Sequence, residues 1–242
     1  MKNCIYTTAA GMMTSAERLN VASNNVANAN TNGYKSDIAF EQAIKFLQEG
    51  PYPGKDQPVL AGTAIDMEQG VIDTTGRTLD MAFEGPGFFA VQGPDNQPLY
   101  TRNGSFALNS QKELVTHEGF NVMDKFNRKI AIFGNNLEVT PKGEIFVDGN
   151  YYTSLKIVDL KNRDELEKVG GTFFKLKDST QQPTQMENPQ MISGALEKSN
   201  FNLLKGLAEL SAADRTFEFQ RTAADLMLRT LRRVITEIPR PI

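Results

Sequence analysis

Apolar residues recur with heptad spacing at both ends of the chain, at intervals that alternate between three and four residues. The N-terminal stripe consists of Ile5, Ala9, Met12, Ala16, Leu19 and Val26. The C-terminal stripe consists of Leu203, Leu210, Phe217, Ala224, Met227, Leu231, Val234 and Ile238. A narrow stripe with this period is typical of helices that supercoil around a partner. The pattern therefore predicts two long terminal helices, and the residues of both stripes form the predicted assembly interface.

Between the two stripes, from about residue 66 to residue 178, short apolar runs are separated by turn signals, as in antiparallel β-structure. The runs are Gly87–Gln92, Leu99–Tyr100, Phe106–Leu108, Leu114–Thr116, Lys129–Phe133, Leu137–Thr140, Glu144–Val147, Ser154–Leu160 and Thr172–Leu176. The turn signals include Asn103-Gly104, Glu118-Gly119, Pro141-Lys142-Gly143 and Asp148-Gly149. The predicted fold class is α+β, with the terminal helices paired as a coiled-coil-like axial domain and an antiparallel β-domain inserted between them.

Four segments follow from this pattern. Residues 1–35 are predicted to hold the N-terminal helix and an Asn-rich turn of the axial domain, 36–65 a connector, 66–195 the β-rich insert, and 196–242 the C-terminal helix of the axial domain. A helix over 3–28 would be roughly 39 Å long and one over 200–238 roughly 58 Å. Because the second helix is the longer, part of its stripe is expected to face another molecule.

Several local features carry finer predictions. Phe40–Leu47 is expected to form two helical turns, and Arg163–Lys168 a short helix within the β-domain. The alternation in Ser154–Leu160 predicts a half-buried strand. Residues 179–195 are expected to form a polar return segment.

Composition narrows the classes of function. The chain has 242 residues and a formal net charge of −3, so no nucleic-acid partner is expected. Acidic and basic residues alternate beside the C-terminal stripe, as in coiled-coil partner selection. The single cysteine, Cys4, excludes an intramolecular disulfide framework. No uninterrupted run of 18 apolar residues exists, so no membrane insertion is expected, and no cleaved leader is visible at the N-terminus.

The residue types needed for catalysis do not form a convincing site. His117, the only histidine, is predicted to be solvated beside a turn, and Ser105 lacks the context of a nucleophile elbow. Five acidic residues of the first strands are expected to face solvent: Asp66, Glu68, Asp73, Asp80 and Glu84. Gly85-Pro86-Gly87 is interpreted as a tight turn that enters a buried strand. We expect no catalytic, cofactor-binding or metal-binding residues, and no enzyme.

Five blocks of sequence, in order along the chain, resemble the flagellar hook and basal-body rod protein family. They are Ser23–Lys35 (SNNVANANTNGYK); Thr75-Gly76 with Leu79–Ala82 and Gly87–Phe89; Tyr100–Ser105 with Leu114–Thr116 and Gly119; Leu196–Asn202; and Arg215–Gln220. The length argues against the hook subunit, which is longer. Arg102–Ser105, Ser193–Glu197 and the Phe217–Gln220 tetrad look like the proximal-rod (F-type) subunit, which is favoured. Gly87–Phe89 is closer to the distal-rod (G-type) subunit.

The resemblance implies a structural subunit that polymerises helically into the rod, the drive shaft that transmits motor torque for swimming. It implies contacts with copies of itself, with other rod subunits and with neighbouring ring or hook components. It also implies export by the flagellar type III apparatus without leader cleavage, and a place in the periplasmic rod of the basal body. Two alternatives stay open: a carbohydrate-active enzyme with helical oligomerisation ends, which would need two carboxylates in a cleft, and a trimeric coiled-coil fibre.

Overall fold

The computed structural model describes residues 2–44, 57–134, 136–160, 166–177, 183–186 and 188–237. Within these ranges, side chains are left undescribed at residues 2–7, 40–44, 57–61, 95, 231 and 234–237. The chain forms an N-terminal helix, a β-rich middle and a C-terminal helix, so the predicted α+β class is confirmed. In the described part of the chain, no helix is long and apolar enough to cross a membrane.

The helices are α1 (Lys2–Ala27) and α2 (Leu203–Glu237), and a single 3-10 turn spans Pro94–Asn96. The strands are β1 (Asp37–Ile44), β2 (Gln57–Ile65), β3 (Ile72–Thr74), β4 (Met81–Phe83), β5 (Phe88–Gln92), β6 (Pro98–Thr101), β7 (Phe106–Leu108), β8 (Leu114–Thr116), β9 (Asn121–Val122), β10 (Leu137–Val139), β11 (Glu144–Val147), β12 (Asn150–Ser154), β13 (Ile157–Asp159), β14 (Leu166–Lys168), β15 (Phe173–Leu176), β16 (Thr184–Gln185), β17 (Met191–Ser193) and β18 (Ala195–Glu197). The chain divides into two compact units.

The helical unit comprises Met1–Ala27, Asp37–Ala64 and Asn202–Ile242. In it α1 contacts α2, and β1 pairs with β2. The Asn202 side chain begins α2 by accepting a hydrogen bond from the backbone N–H of Lys205 (3.0 Å), which satisfies one of the free donors of the first turn. The two helical turns predicted for Phe40–Leu47 are wrong over 40–44, which belong to β1; residues 45–47 lie outside the described residues. The β-branched and aromatic residues of β1 suit a strand, and the pairing of β1 with β2 favours a strand over a helix.

The β-rich unit comprises Asn28–Ser36 and Ile65–Phe201. Its largest sheet has the strand order β14-β15-β6-β5-β9-β8-β7, and β13 joins this sheet by pairing with both β5 and β16. A second sheet has the order β10-β11-β12, and two further pairs are β17-β4 and β18-β3. All of these pairings are antiparallel, as predicted.

Strand β5 is buried on both faces and separates two clusters of core residues. Phe89 and Val91 belong to the larger cluster, whereas Phe88 and Ala90 belong to the smaller one, as the two-residue period of a strand requires. Residues 155–160 behave in the same way, because Ile157 contributes to the larger cluster and Val158 to the smaller. The half-buried strand predicted for Ser154–Leu160 is therefore buried on both sides.

The predicted turn at Asp148-Gly149 is confirmed. Both residues have positive φ angles (50° and 80°), and the flanking Val147 and Asn150 are paired, as in a two-residue hairpin loop. The predicted hairpin turn at Asn103-Gly104 is different: a Cβ atom on Gly104 would lie 1.8 Å from the Met81 carbonyl oxygen. This glycine is needed for a close backbone approach and not for a left-handed turn.

Two further predictions are corrected. The short helix predicted for Arg163–Lys168 is a strand over 166–168, since these residues pair with β15; residues 163–165 lie outside the described part. Residues 179–195 were expected to form a polar return, yet they contain β16 and β17. Strands β16 and β17 have only two and three residues, too few for alternation of polar and apolar residues to reveal them.

The two compact units do not correspond one to one to the four segments expected from the sequence. The Asn-rich residues 28–36 group with the β-rich unit, and residues 37–64 with the helices. The longer segment of the β-rich unit runs from Ile65 to Phe201. The β-rich insert was expected to run from residue 66 to residue 195.

Candidate assembly interface

The less exposed face of α2 coincides with the heptad positions. Between residues 206 and 230 the shielded positions are Gly206, Leu210, Ala213, Phe217, Gln220, Ala223, Ala224 and Met227, and the others are exposed. With the exception of Ala223, these positions alternate at intervals of three and four residues. Leu203, at the start of the stripe, is 38% exposed. The structure thus places Leu210, Phe217, Ala224 and Met227 together on one face.

The face of α1 that contacts α2 lies one residue earlier than the N-terminal stripe. The Thr8 hydroxyl donates to the Met227 sulfur (3.7 Å), and a Cβ atom on Gly11 would lie 3.3 Å from the Gln220 Nε2 atom. Moving forward along α1 from Thr8 to Gly11 corresponds to moving backward along α2 from Met227 to Gln220. The two helices therefore run antiparallel. Small side chains at 8 and 11 allow close approach, and heptad spacing of apolar residues does not reveal such a face.

The predicted residues of α1 flank this contact face. Met12, Ala16, Leu19 and Val26 are half-buried, and Ala9 is exposed. The side chains of Ile5, Leu231 and Val234, and the whole of Ile238, lie outside what the structure describes. The participation of both stripes in assembly stays a prediction.

A second apolar stripe on α2 lies on the side opposite the shielded face. Leu204, Phe219 and Leu226 are 80%, 74% and 59% exposed, and the exposed Ala208 and Ala212 lie between the first two at helical spacing. Exposed apolar residues at i, i+4, i+8 and i+15 line one side of a helix. An exposed apolar stripe along a helix marks an interaction site more often than scattered apolar residues do.

In the β-rich unit, a buried carboxylate joins three of the sequence blocks. Glu197 accepts hydrogen bonds from the Lys35 ammonium (2.6 Å), the Arg102 guanidinium (3.2 Å) and the backbone N–H of Gly70 (3.0 Å). Its side chain is 0% exposed, and those of Lys35 and Arg102 are 1% and 6% exposed. We call these three charged residues the ionic junction. Lys35 comes from the Asn-rich block, Arg102 from the third block and Glu197 from the fourth.

Two further hydrogen bonds of the ionic junction go to backbone oxygens. Lys35 also donates to the Glu68 carbonyl (2.6 Å) and Arg102 to the Gly85 carbonyl (2.9 Å). Burial lowers the pKa of Lys35 from its ordinary value, while the Glu197 carboxylate opposes that shift. Two cations share one carboxylate, so the remaining positive charge depends on carbonyl dipoles and on the rings of Phe83 and Phe88, which lie 5.5 and 5.1 Å from the Arg102 guanidinium carbon.

Backbone contacts fix the same region. Gly33 has a φ of 69°, and a Cβ atom there would lie 2.3 Å from the backbone nitrogen of Asn103. Its own N–H donates to the Glu197 carbonyl (2.7 Å). The Asn200 side chain accepts from the Ser36 N–H (2.8 Å) and donates to the Asp66 carbonyl (3.0 Å). The three blocks that contain Lys35, Arg102 and Glu197 therefore share one structural role, which is to hold together segments of this unit that are distant in sequence.

The candidate catalytic groups do not converge. His117 is exposed after β8, as predicted, whereas Asp80, expected to face solvent, is buried and accepts a hydrogen bond from the Thr75 hydroxyl (2.7 Å). A cavity of ≈ 300 Å³ is lined by Met67, Gln69, Gly85, Pro86, Phe88, Arg102, Asp159 and Leu160. Asp159 is the one carboxylate among these residues, so this cavity lacks the pair that a glycoside hydrolase needs. Among the described residues, no group of three or more potential ligands could hold a metal ion.

Helix α2 carries an exposed apolar stripe, and the charged motif residues of the β-rich unit are buried. These two features are typical of a structural subunit that assembles. Residues 5–35 match the family model described as Flagella basal body rod protein, and residues 82–147 match that of the Flagellar hook protein FlgE/F/G D1 domain. The chain belongs to the flagellar basal-body rod protein family, and its role is that of a structural subunit of the rod.

Relatives of both rod types have comparable identity to the chain. It is 30% identical to the FlgG protein of Buchnera aphidicola subsp. Baizongia pistaciae (strain Bp), with 88% of this chain and 92% of that protein covered. The FlgG protein of Bacillus subtilis (strain 168) is also 30% identical, with 90% and 92% covered. The FlgF protein of Caulobacter vibrioides (strain ATCC 19089 / CIP 103742 / CB 15) is 31% identical, with 90% of each chain covered. The family is one of structural basal-body proteins that serve motility.

Proposed function

We propose that the chain polymerises helically through α1 and α2 and transmits torque along the rod. In this proposal α1 and α2 pair as a coiled-coil-like axial domain and further copies, or other rod subunits, cover the remaining stripes. Ring or hook components are its further neighbours, and the chain has no catalytic activity. The subunit leaves the cell through the flagellar type III apparatus without leader cleavage and occupies the periplasmic part of the basal body.

One observation carries the proposal. Helix α2 turns one apolar face toward α1 and exposes a second, which contains Leu204, Phe219 and Leu226. It also has 35 residues against the 26 of α1, so a single α1 cannot accompany its full length. A helix that is apolar on two sides needs two partners, because apolar surface left in water forgoes about 25 cal/mol per Å². Heterologous contacts of this kind generate open helical assemblies.

The position along the rod has two candidates. Arg102–Ser105, Ser193–Glu197 and the Phe217–Gln220 tetrad favour the proximal-rod subunit. The distal-rod subunit is the alternative, favoured by Gly87–Phe89 and by the similarity to FlgG proteins. Complementation of strains that lack either FlgF or FlgG separates the two, because the chain should restore swimming in only one of them.

The assembly role is tested by Phe219→Ser in the full-length chain. Phe219 is 74% exposed, so the isolated subunit should keep its fold, and we expect the amount of the variant in purified basal bodies to fall at least tenfold. Glu218→Ser is the matched control, since this neighbour is exposed and contributes a surface ion pair to Arg221 that is worth less than about 1 kcal/mol.

Two results decide the outcome. Loss of incorporation for Phe219→Ser, with normal incorporation for Glu218→Ser and unchanged circular dichroism for both, supports the proposal. Normal incorporation of Phe219→Ser at normal swimming speed shows that this face of α2 is not an assembly surface.

A further inference from the structure

Aromatic and basic side chains form an exposed patch on the β-rich unit. The aromatic–basic patch consists of Lys125, Phe126, Arg128, Tyr151 and Tyr152. The Lys125 ammonium lies 5.2 Å from the centre of the Phe126 ring and 5.7 Å from that of Tyr151, and it donates to the Tyr151 hydroxyl (3.2 Å). The Arg128 guanidinium carbon lies 4.9 Å from the Phe126 ring centre. Phe126, Tyr151 and Tyr152 are 61%, 49% and 48% exposed.

A β-bulge gives the two tyrosines their exposed positions. The register of β11 with β12 shifts between Ile145 and Phe146, so that Ile145 pairs with Thr153 and Phe146 with Tyr151. Tyr152 is the extra residue on β12. Bulges redirect side chains at sheet edges, and β12 is the edge strand of its sheet. Tyr151 and Tyr152 are each about half exposed, and exposed aromatic residues are enriched in surfaces that bind other proteins.

Lys125 supplies a positive charge to the patch. Arg128 is paired with the Asp124 carboxylate (2.8 Å), whereas the described partners of the Lys125 ammonium are the Tyr151 hydroxyl and the rings of Phe126 and Tyr151. Lys156 nearby donates to the amide oxygen of Asn127, a neutral group. Tyrosine, arginine and phenylalanine are enriched in the energetically important parts of protein interfaces. The patch therefore suits a protein surface that combines apolar side chains with carboxylates.

The same unit carries such a surface on a different segment. Val71 is 75% exposed, and the exposed carboxylates of Glu68 and Asp73 flank it in the sequence. Asp73 has only a loose pairing with Lys198 (3.7 Å), and both side chains are about half exposed (59% and 46%). We call residues 68–73 the acidic–apolar segment. Its charge is opposite to that of the aromatic–basic patch.

We infer that the aromatic–basic patch of one subunit binds the acidic–apolar segment of a second copy. The two surfaces consist of different residues, so the contact is head-to-tail and repeats without closing, which is the geometry of a helical rod. Opposite charges orient the two copies during association, and the rings supply most of the buried apolar area. This inference rests on the proposed function, because it concerns how copies of the chain meet once they assemble.

Cysteine cross-linking in assembled basal bodies tests the contact. In a Cys4→Ser background, Tyr152→Cys and Val71→Cys are introduced singly and together into the full-length chain, and purified basal bodies are treated with a short bismaleimide. We expect the double variant to give a ladder of covalent multimers of this chain and each single variant to give none. Both positions are exposed, so neither substitution removes a core contact.

Other results overturn the inference in distinguishable ways. Dimers from Tyr152→Cys alone show a symmetric contact, cross-links to another protein show a different partner, and an uncross-linked double variant in intact rods excludes the contact. Absence of the Cys4→Ser parent from basal bodies, with wild-type chain equally absent, overturns the proposed function instead.

As a second measurement, Lys125→Glu should lower incorporation at least fivefold and Glu68→Lys in the same chain should restore it. A double variant that is no better than Lys125→Glu contradicts the pairing.

Discussion

The ionic junction concentrates the largest single-residue effects in the β-rich unit. Removal of one partner from a buried charge cluster leaves the others uncompensated, and this typically costs about 3–5 kcal/mol. Glu197 is the carboxylate that both cations contact, so its loss removes the anion that offsets the buried charges of Lys35 and Arg102. Loss of Lys35 has a smaller cost, because Glu197 keeps its contact with Arg102.

We therefore expect Glu197→Gln to lower the melting temperature of the β-rich unit by about 10 °C. Lys35→Met should lower it by less than half as much. Thermal unfolding followed by circular dichroism, on the full-length chain at neutral pH, measures both. Equal effects of the two variants would show that the cluster acts through packing and that the charges are not decisive.

Asp124 should make part of the stability dependent on acid. Burial opposes the ionisation of this carboxyl group, but hydrogen bonds from the Arg128 and Phe126 N–H groups and from the Arg128 guanidinium outweigh it and lower the pKa below its ordinary value. A carboxyl group with a lowered pKa stabilises the folded state above its unfolded pKa, and this contribution is lost as the pH falls through its folded pKa.

Asp124→Ala should accordingly cost about 2–3 kcal/mol at pH 7, where charge-assisted hydrogen bonds are lost. The difference in unfolding free energy between wild type and variant should shrink as the pH falls below about 4. Urea unfolding at a series of pH values from 7 to 2 provides the test. A difference that stays constant over this range would contradict the role of the charge.

Gly104 and Gly119 should respond differently to the same substitution. A Cβ atom on Gly104 would meet the Met81 carbonyl oxygen at 1.8 Å, whereas Gly119 (φ 89°) has open space around its Cα. We expect Gly104→Ala to cost about 3 kcal/mol or more through backbone displacement, and Gly119→Ala about 1 kcal/mol through strain. Urea unfolding of the two variants compares these costs directly, and similar values would disprove the close approach at Gly104.

The helices and several strands bounded by turn signals were predictable from the sequence because their signals are local. The heptad spacing identified the shielded face of α2, and the bounds of β7, β8 and β11 agree with their apolar runs. The contact face of α1 was not accessible, since Thr8 and Gly11 carry no apolar signal. Strand β1 was mistaken for a helix because its alternation is weak and its partner strand follows after a long connection.

The shielded face of α2 should be essential for assembly and dispensable for the β-rich unit. Leu210→Asp places a carboxylate at a half-buried position, where desolvation without a partner costs several kcal/mol. We expect loss of the variant from basal bodies with an unchanged thermal transition of the β-rich unit, in which both clusters of core residues lie. Ser211→Asp, with the same added charge at an exposed neighbour, is the control. Normal rods from Leu210→Asp would refute the predicted stripe.

The ionic junction shows why motif residues are easier to recognise in a sequence than the contacts they make in the folded protein. Lys35 and Glu197 lie 162 residues apart, and Arg102 lies 95 residues from Glu197. All three belong to blocks that resemble the rod protein family, but no local periodicity connects them. Their meeting depends on the pairing of β3 with β18 and on the fit of Gly33 against residues 102–103, which are consequences of the whole fold.

The two units should differ in stability in the isolated subunit. The β-rich unit contains both clusters of core residues, whereas α2 exposes most of its positions between 206 and 230, and ordering each residue costs about 1–2 kcal/mol of backbone entropy. Hydrogen exchange on dilute monomer should be fast in α1 and α2 and slow in β5, β6 and β8. In purified rods both helices should become protected, because neighbouring subunits then cover their exposed stripes. Equal protection of the helices in a verified monomer would mean that α1 and α2 are stable without neighbours, and that assembly is not what completes them.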